Sequence, residues 1–371
     1  MSLDHGGDVA GAARELGLRP EDILDFSANL NPAGLPPRAA ARLAREAADL
    51  DFLARYPDPS ARELRAILAA QLAIPIESII IGAGADALIH AALRALAPRR
   101  CLIPVPAFSE YRRACAAVSA SVVPIPLCAA DGFALRREAW SGVGPGDAII
   151  FNNPHNPTGT CATREEMLDR IAATRSRGAT ALVDEAFIDY APEAAITAHA
   201  AVEPGVVAVR SLTKFFGCAG LRVGYAVASP ETARVLQSQL PAWPVTTLAA
   251  NALAEALADR DYAEATLRRN ARAREALAQA LRRMACRVFP GAANFLLLEL
   301  PPGVIAGDVR EQLLRTSGVL VRLCDNFEAL QPGRYLRVAV RSEDENARLT
   351  AALTRILENE YVSRNPSPSN S

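Results

Sequence analysis

The chain has 371 residues, with 40 Lys and Arg against 41 Asp and Glu, a formal net charge of -1. A chain longer than roughly 250–300 residues favours two structural domains, because a single hydrophobic core stops growing near that size. Balanced charge without a polybasic block argues against a nucleic-acid partner. We find neither a signal-peptide core nor an apolar run of membrane-spanning length, which predicts a soluble cytoplasmic protein without membrane contact.

The cysteines and histidines are scattered along the sequence. There are seven cysteines, an odd number, and four histidines. No Cys-x-x-Cys pair and no paired histidine spacing occurs. The spacing therefore predicts no disulfide framework, no zinc knuckle and no metal site.

Short β-rich runs alternate with helical patterns over residues 45–240. The runs cover 78–81, 101–105, 121–125, 148–151, 180–183, 206–209 and 223–227. Nearly continuous apolar strands between helices are typical of a mostly parallel sheet with helices on both faces. We predict an α/β fold in which 45–240 form the large domain, a seven-stranded sheet carrying the ligand site.

The C-terminal part has the pattern of a smaller α+β domain, which we place at 241–362. A long Ala, Leu and Arg-rich helical pattern follows Pro244 to about Met284, and a closing helix is predicted near 344–358. Three strands are predicted at 294–300, 319–322 and 335–340. We expect residues 1–44 to be an N-terminal segment that packs with this domain, and the polar, proline-rich residues 363–371 to be disordered.

Lys214, in S-L-T-K-F-F-G at 211–217, is the only lysine in the sequence. An arginine stays protonated in proteins, whereas a lysine can lose its proton and become a nucleophile. Two interpretations are open at this point: a lysine retained by chance in an arginine-rich chain, or a reactive amine. The neighbouring motifs decide between them.

Polar or glycine-rich stretches follow four of the predicted strands, at the ends where open α/β sheets bind ligands. They are G-A-G-A-D at 82–86, N-N-P-H-N-P-T-G at 152–159, D-E-A-F at 184–187 and R-S-L-T-K-F-F-G at 210–217, the last followed by G-L-R-V-G-Y at 220–225. Free N–H groups at a glycine-rich helix start can hold a phosphate. Taken alone, each stretch is also explained as a turn or a helix cap. The first is not a full G-x-G-x-x-G, so a dinucleotide site is poorly supported.

Asn156, Asp184 and Lys214 lie about thirty residues apart, the length of one strand-helix-strand unit. A parallel sheet therefore brings all three to one edge. A lysine that can bond an aldehyde, a carboxylate that can pair with a protonated pyridine nitrogen, and hydroxyls that bind phosphate are what a pyridoxal phosphate site requires.

In this order, N-P-H-N-P-T-G, D-E-A-F, S-L-T-K-F-F-G and G-L-R-V-G-Y resemble the motifs of fold-type I, class I/II pyridoxal phosphate enzymes. The resemblance covers nearly the whole chain, through Y-L-R-V-A-V-R at 335–341. It implies that Lys214 holds pyridoxal 5'-phosphate covalently and moves protons, that Asp184 pairs with the ring nitrogen, and that Asn156 hydrogen-bonds the ring oxygen.

The resemblance also implies the remaining cofactor contacts. Phe108, in P-A-F-S-E-Y, would stack on the ring, although alone it is explained as a core residue. Tyr56, in R-Y-P-D, would reach the phosphate in the partner subunit, which implies a homodimer with shared active sites. The cofactor phosphate would be held by Ala83, Gly84, Ala85, Ser211, Thr213 and Arg222.

Three further stretches, H-G-G at 5–7, L-D-F-S-A-N-L-N-P at 24–32 and V-R-L-C-D-N-F at 321–327, resemble the L-threonine-O-3-phosphate decarboxylases of cobalamin biosynthesis. This resemblance implies that L-threonine O-3-phosphate loses carbon dioxide to give (R)-1-amino-2-propanol O-2-phosphate. Arg337 and Arg322 would grip the substrate anions, together with Asn156. His5 and Asn31 are candidates for contacts with the substrate phosphate. Alternatively, His5 belongs to a mobile terminus and Asn31 only forms an Asn-Pro turn.

Two other functions stay open. The histidinol-phosphate aminotransferases share the cofactor motifs, because the α-carbon bond aligned perpendicular to the ring, and not the cofactor residues, chooses the reaction. In them a tyrosine usually follows D-E-A, where this chain has Phe187. A binding module without turnover is the third reading, and the complete set of Asn156, Asp184, Lys214 and Arg337 argues against it.

Overall fold

The structure is a computed structural model that describes residues 6–364. His5 and most of the predicted disordered tail lie outside these residues. The helices of the described part are α1 (Val9–Leu16), α2 (Pro37–Ala47), α3 (Leu50–Leu53), α4 (Arg62–Leu72), α5 (Gly84–Leu96), α6 (Glu110–Ala117), α7 (Arg164–Arg175), α8 (Thr197–Ala200), α9 (Leu212–Phe215), α10 (Pro230–Gln237), α11 (Thr247–Ala258), α12 (Arg260–Arg283), α13 (Ala306–Ser317) and α14 (Glu343–Arg364). The strands are β1 (Leu24–Asp25), β2 (Ile79–Gly82), β3 (Arg100–Val105), β4 (Ser121–Pro126), β5 (Asp147–Asn152), β6 (Thr180–Asp184), β7 (Val206–Ser211), β8 (Gly224–Ala228), β9 (Arg287–Val288), β10 (Phe295–Glu299), β11 (Val319–Leu320), β12 (Arg322–Leu323) and β13 (Tyr335–Ala339).

A seven-stranded sheet with the order β2-β8-β7-β6-β5-β3-β4 forms the larger part of the fold. All of its pairs are parallel except those of β8, which runs antiparallel to β2 and β7. Each strand lies at its predicted position, with ends that differ by at most two residues. The predicted α/β fold with a mostly parallel sheet is confirmed.

The apolar runs are nearly continuous because both faces of the sheet are buried. Ile79 and Ile81 of β2 belong to the hydrophobic cluster on one face, whereas Ile80 belongs to the cluster on the other. The same alternation places Phe151 on the first face and Ile150 on the second. Helices cover each face, as expected for strands without a polar side.

A second, antiparallel sheet has the order β12-β13-β10-β9 and packs in a separate cluster with α12, α13 and α14. The N-terminal strand β1 pairs in parallel with β11, joining Leu24 to Val319 and Asp25 to Leu320. The single strand predicted at 319–322 is therefore wrong. It is two short strands in two sheets, because the chain pairs with β1 before Val321 and with β13 after it.

The long helical pattern after Pro244 is also divided. It forms α11 and α12, and the break is at Asp259, whose carboxylate accepts a hydrogen bond from the Tyr262 N–H at 2.9 Å and caps α12. No helix within residues 6–364 combines the length and the apolar character needed to cross a membrane.

The strand ends that carry the motifs meet at one edge of the large sheet. Asn152 at the end of β5 is the register partner of Asp184 at the end of β6. Asp184 is in turn opposite Val209, two residues before β7 ends at Ser211. Helix α5 begins at Gly84, directly after β2 and Ala83. This edge places the loops after β2, β5, β6 and β7 around one point.

A buried ion network lies just below this edge. Glu185 accepts hydrogen bonds from the Ile196 N–H at 2.6 Å and from the Thr197 hydroxyl. Arg210 pairs with Asp189 and lies 5.6 Å from the centre of the Tyr225 ring. Burial raises the pKa of Glu185, and the positive charge of Arg210 opposes that shift.

We expect Arg210→Met to destabilise the fold strongly, because it leaves the buried carboxylate of Glu185 and the partly buried carboxylate of Asp189 without a cation. Breaking such a pair costs about 3–5 kcal/mol, which should appear as a lower midpoint of urea unfolding. Arg268→Met is the matched control, since Arg268 pairs with Glu264 on the surface and should cost about 0.5 kcal/mol or less. Equal midpoints for the two variants would show that the buried network adds no stability.

Candidate active site

A cavity of about 240 Å³ opens at this edge of the large sheet. Its walls come from the large sheet, the N-terminal segment and β12–β13. Ten of the predicted site residues line it: Ala85, Phe108, Asn156, Asp184, Ser211, Thr213, Lys214, Arg222, Arg322 and Arg337. The structure thus brings together residues from eight separate motifs.

Lys214 lies in α9, the single turn that follows β7. Burial, together with the charges of Arg337 and Arg222, lowers the pKa of its amine to about 8, although the charge of Asp184 opposes the shift. A lysine with this pKa exists partly as the free amine near neutral pH. It therefore meets the requirement for a nucleophile that attacks an aldehyde.

Asp184 is buried with both carboxylate oxygens engaged. The Tyr111 hydroxyl donates to Oδ2 at 2.5 Å, and the Ala186 N–H donates to Oδ1 at 2.9 Å. Burial raises the pKa of Asp184, while these hydrogen bonds and the charge of Lys214 counteract the shift. Sequence reasoning missed Tyr111, although it stands in the quoted P-A-F-S-E-Y stretch; nothing in the pattern showed that its hydroxyl faces β6.

Arg337 joins three separate parts of the chain. Its Nη1 donates to Asn156 Oδ1 at 2.5 Å and its Nη2 donates to the Ser27 carbonyl at 2.8 Å. The guanidinium lies 5.5 Å from the centre of the Phe295 ring, and its buried Nε has no partner among the residues that the structure describes. Burial lowers the pKa of Arg337 to about 10, which leaves it charged at neutral pH. An unpaired buried N–H points to a ligand acceptor.

A cradle of donors lies at the start of α5. The hydroxyls of Ser211 and Thr213 are 2.9 Å apart. Gly84 has a φ of +84°, and a Cβ there would come within 2.8 Å of Arg222 Nη2, so this guanidinium packs against the backbone at the helix start. A Cβ at Gly224 would likewise lie 2.8 Å from the Ala85 nitrogen. These donors, with the helix N-terminus, suit a phosphate.

The arrangement as a whole fits pyridoxal phosphate. An anion cradle that a Cβ would fill, a lysine with a lowered pKa and a buried carboxylate surround the same cavity. Phe108 lines it as well and makes an edge contact with Tyr111, their ring centres 5.7 Å apart.

A second guanidinium faces the cavity from the neighbouring strand. Arg322 is the register partner of Arg337 and donates through Nη2 to Asn326 Oδ1 at 2.7 Å. It also lies 5.1 Å from the centre of the Phe327 ring. Asn326 and Phe327 line the cavity and were not predicted. Two guanidiniums in the same cavity as Lys214 suit a substrate with two anionic groups.

Some predicted residues do not reach the cavity. Ala83 and Gly84 lie just behind Ala85 at the start of α5. Tyr56 is 80% exposed and stacks on Trp243 with ring centres 4.6 Å apart. His5 lies outside the described residues.

Asn31, predicted as a candidate for the substrate phosphate, instead uses its side-chain amide to hold separate parts of the chain together. Its Nδ2 donates to the Phe215 carbonyl at 2.8 Å and to the Tyr262 oxygen at 3.0 Å, and its Oδ1 accepts from the Ala33 N–H at 3.1 Å. The side chain fixes the N-terminal segment to the turn that carries Lys214. It does not line the cavity.

Asn29, two residues earlier, lines the cavity and is 4% exposed, and its Oδ1 has no hydrogen-bond partner within residues 6–364. The stretch F-S-A-N-L-N-P contains both asparagines, and the pattern could not show which one faces inward. Phe187 also lines the cavity and packs edge-on against Phe295 at 5.0 Å, so it adds no hydroxyl there.

One group of potential metal ligands was not foreseen. Among the described residues, Asp86, His90 and Glu110 each place a ligand atom within 4.8 Å of the others. Glu110 also pairs with Arg113 at 2.9 Å. The absence of a metal stays a prediction.

Fold and site together define a fold-type I α/β enzyme of pyridoxal phosphate chemistry. The chain belongs to the family of class I and II aminotransferases, whose family model matches residues 21–356.

Three similar proteins narrow this class. The chain is 38% identical over 362 residues to the threonine-phosphate decarboxylase of Salmonella typhimurium, covering 95% of this chain and 96% of that protein. It is 33% identical to histidinol-phosphate aminotransferase 2 of Ralstonia nicotianae, covering 95% and 93%. It superposes on the crystal structure of L-threonine-O-3-phosphate decarboxylase from Porphyromonas gingivalis with a TM-score of 0.78 and 26% identity, covering 90% and 99%.

His155, the residue before Asn156, is buried on the far side of the same loop. Its Nδ1 lies 2.8 Å from Thr158 Oγ1. Burial lowers the pKa of the imidazole to about 4; a hydrogen bond with the backbone of Pro104 opposes this shift, and the charge of Arg170 adds to it. The folded protein therefore keeps His155 neutral.

We expect His155→Asn to make the protein less sensitive to acid. Between pH 6.5 and 4 the unfolded chain protonates this histidine while the folded chain does not, so stability falls as the pH falls through that window. The contribution at pH 4.5 is about 2–3 kcal/mol. Urea unfolding of both proteins at pH 7.5 and pH 4.5 measures it, and an equal pH-dependent loss in both would contradict a depressed pKa.

Proposed function

We propose that the protein decarboxylates L-threonine O-3-phosphate to (R)-1-amino-2-propanol O-2-phosphate, a step of cobalamin biosynthesis, with pyridoxal phosphate as cofactor. The observation that carries this proposal is one cavity that combines Lys214 with two guanidiniums, Arg322 and Arg337, at facing strand positions. The 38% identity over 95% of the chain to a threonine-phosphate decarboxylase supports the same reaction.

The substrate has an α-carboxylate and a phosphate, and the site offers a cation for each. We assign the carboxylate to Arg337, whose unpaired Nε points to an acceptor, and to the amide of Asn156 beside it. Arg322 is assigned to the substrate phosphate, since Asn326 and Phe327 hold its guanidinium at the cavity wall. Asn29 replaces Asn31 as the candidate in the N-terminal segment, and its unpaired Oδ1 would accept a hydrogen bond from the substrate or the cofactor.

The remaining residues would hold the cofactor. Bound pyridoxal phosphate supplies an electron sink for the pair of electrons left on the α-carbon when carbon dioxide departs. Asp184 would hold the ring nitrogen in its protonated form, and Phe108 would stack on the ring. The phosphate would be held at the start of α5 by Ala83, Gly84, Ala85, Ser211, Thr213 and Arg222.

Lys214 has two tasks in this proposal. As a free amine, Lys214 would hold the cofactor through its aldehyde group. As an ammonium, it would supply the proton that takes the place of the departing carboxylate on the substrate α-carbon. A pKa of about 8 suits both states near neutral pH.

We expect the purified protein with pyridoxal phosphate to convert L-threonine O-3-phosphate to carbon dioxide and the amine in equal amounts. Lys214→Arg should lower turnover on the order of 10³-fold or more, because a guanidinium stays protonated. Borohydride followed by mass spectrometry should find the cofactor on Lys214 in the wild type and none in the variant.

A different product would change the assignment. Amino transfer from glutamate to imidazole-acetol phosphate without release of carbon dioxide would identify a histidinol-phosphate aminotransferase instead. A wild-type chain that binds the cofactor but turns over neither substrate would identify a binding module.

We further propose a cytoplasmic homodimer in which each subunit completes the site of the other. All seven cysteines, each within the described residues, are free thiols, which fits a reducing compartment. The exposed Tyr56 stacks on Trp243, which is 49% exposed. A pair of stacked, exposed aromatic rings suits a protein interface.

We expect two inactive variants to restore activity when their subunits are mixed. A dimer of one Lys214→Ala subunit and one Tyr56→Ala subunit has one site with both defects and one intact site. Random exchange should therefore give about a quarter of wild-type activity, provided the dimer is symmetric. If the mixture is no more active than the mean of its two components, Tyr56 does not serve the partner's site.

A further inference from the structure

We infer that His155 is a positioning residue of the active site: from the opposite side of the 152–160 loop, it sets the place where Asn156 meets Arg337. The inference rests on the proposed function only for the identity of the substrate. His155 itself does not line the active-site cavity.

The loop has two faces that look into two different cavities. Asn156 lines the active-site cavity, whereas His155 lines a second cavity of about 320 Å³ behind the loop. This second cavity is also lined by Pro104, Phe151, Cys161, Glu166 and Arg170. Because His155 and Asn156 are consecutive, a movement of one backbone unit displaces the other.

The imidazole ties the loop to the end of a strand. Its Nδ1 is 2.8 Å from the hydroxyl of Thr158. Pro104 of β3 lines the same cavity, and a hydrogen bond with its backbone raises the pKa of the ring against the effect of burial. The backbone of His155 makes two further bonds, donating to the Thr160 carbonyl at 2.8 Å and accepting from the Gly159 N–H at 2.7 Å. The ring thus adds a contact between this tight turn and β3 of the large sheet, beside the turn's own connection to β5.

On its other face the loop is bound to the elements that surround the substrate site. The Asn156 N–H donates to Asn152 Oδ1 at 2.7 Å, and its own Oδ1 accepts from Arg337 at 2.5 Å. The Gly159 carbonyl accepts from the Ala292 N–H at 2.9 Å. A shift of the loop would therefore change the hydrogen bonds of the arginine assigned to the substrate carboxylate. A misplacement of about 1 Å in an active site can cost on the order of 100-fold in rate.

The ring performs this task as a neutral base. A neutral imidazole that donates to Pro104 can accept from Thr158, and a protonated ring cannot. The charged and titratable groups around it are Arg170 and Glu166 of α7 and the thiol of Cys161.

Three substitutions of His155 separate the contact of its ring with Thr158 from the contact with Pro104. The amide of His155→Asn reaches the position of Nδ1 and can keep the Thr158 contact, and that of His155→Gln reaches the position of the other nitrogen and can keep the Pro104 contact. His155→Phe keeps the ring volume and loses both. Thr158→Val removes the Thr158 contact from the other side, and Thr158→Ser restores it.

The experiment measures KM and kcat for L-threonine O-3-phosphate, the dissociation constant of pyridoxal phosphate, and the absorbance maximum of the bound cofactor over a pH series. We expect His155→Phe to lower kcat/KM by about 10- to 100-fold, mainly through KM, and to shift the pH titration of the cofactor absorbance. Asn or Gln should recover part of the loss. The double variant His155→Phe, Thr158→Val should have a kcat/KM little lower than that of either single variant, because both substitutions remove the same hydrogen bond.

Thr174→Val is the matched control, since Thr174 is a buried hydroxyl on α7 that bonds only the Arg170 carbonyl. It should lower the urea midpoint without changing KM or the cofactor absorbance. If His155→Phe behaves in the same way, the residue is structural and the inference is overturned. If the wild type fails to turn over this substrate, the proposed function fails, while the cofactor affinity and absorbance of the variants still decide the role of His155.

Discussion

The hydrogen bonds of Arg337 are the interaction on which the rest of the site depends. One guanidinium binds the amide of Asn156, which follows β5, and the carbonyl of Ser27 in the N-terminal segment, while its backbone belongs to β13. The cavity exists because this cation holds the large sheet, the small sheet and the first part of the chain against one another. Burying an arginine is tolerated only where its N–H groups find acceptors, so the Nε of Arg337, which has none among the described residues, marks a place for a ligand acceptor at a residue that lines the cavity.

The electrostatics of the cavity follow from crowding cations around one lysine. Arg337 and Arg222 both lower the pKa of Lys214, and burial contributes the largest part of the shift. Asp184 is the counter-charge, and its place at the end of β6 is secured by Tyr111. The same charges that make the lysine a nucleophile also attract a doubly anionic substrate, so reactivity and recognition have a common physical origin.

Residues adjacent in sequence to the site residues make buried contacts that hold the strand ends in place. Glu185 and Arg210 immediately follow or precede site residues, yet their side chains enter the buried network on the other side of the sheet. His155 stands in the same relation to Asn156. At these strand ends and turns, one residue lines the cavity and its neighbour in sequence makes supporting contacts away from it. The motifs therefore contain more polar residues than line the cavity.

Sequence reasoning located the seven strands of the large sheet, because strands buried on both faces are nearly continuous apolar runs that need no tertiary information to be seen. It also brought Asn156, Asp184 and Lys214 together, because parallel strands deliver the residues at their carboxyl ends to the same edge, whereas the other seven predicted residues that line the cavity came from the family resemblance. It failed where two short strands share one run, at 319–323, since the partner β1 is almost 300 residues away.

The sequence by itself determined the order of the motifs, the alternation of strands and helices, and the uniqueness of Lys214. Only the tertiary structure decided that Asn29 and not Asn31 faces the cavity, that Tyr111 bonds Asp184, and that burial brings the pKa of Lys214 to about 8. The physical reason is that the direction of a side chain in an irregular loop, and the desolvation of a charge, depend on neighbours from distant parts of the chain, and no local pattern contains them.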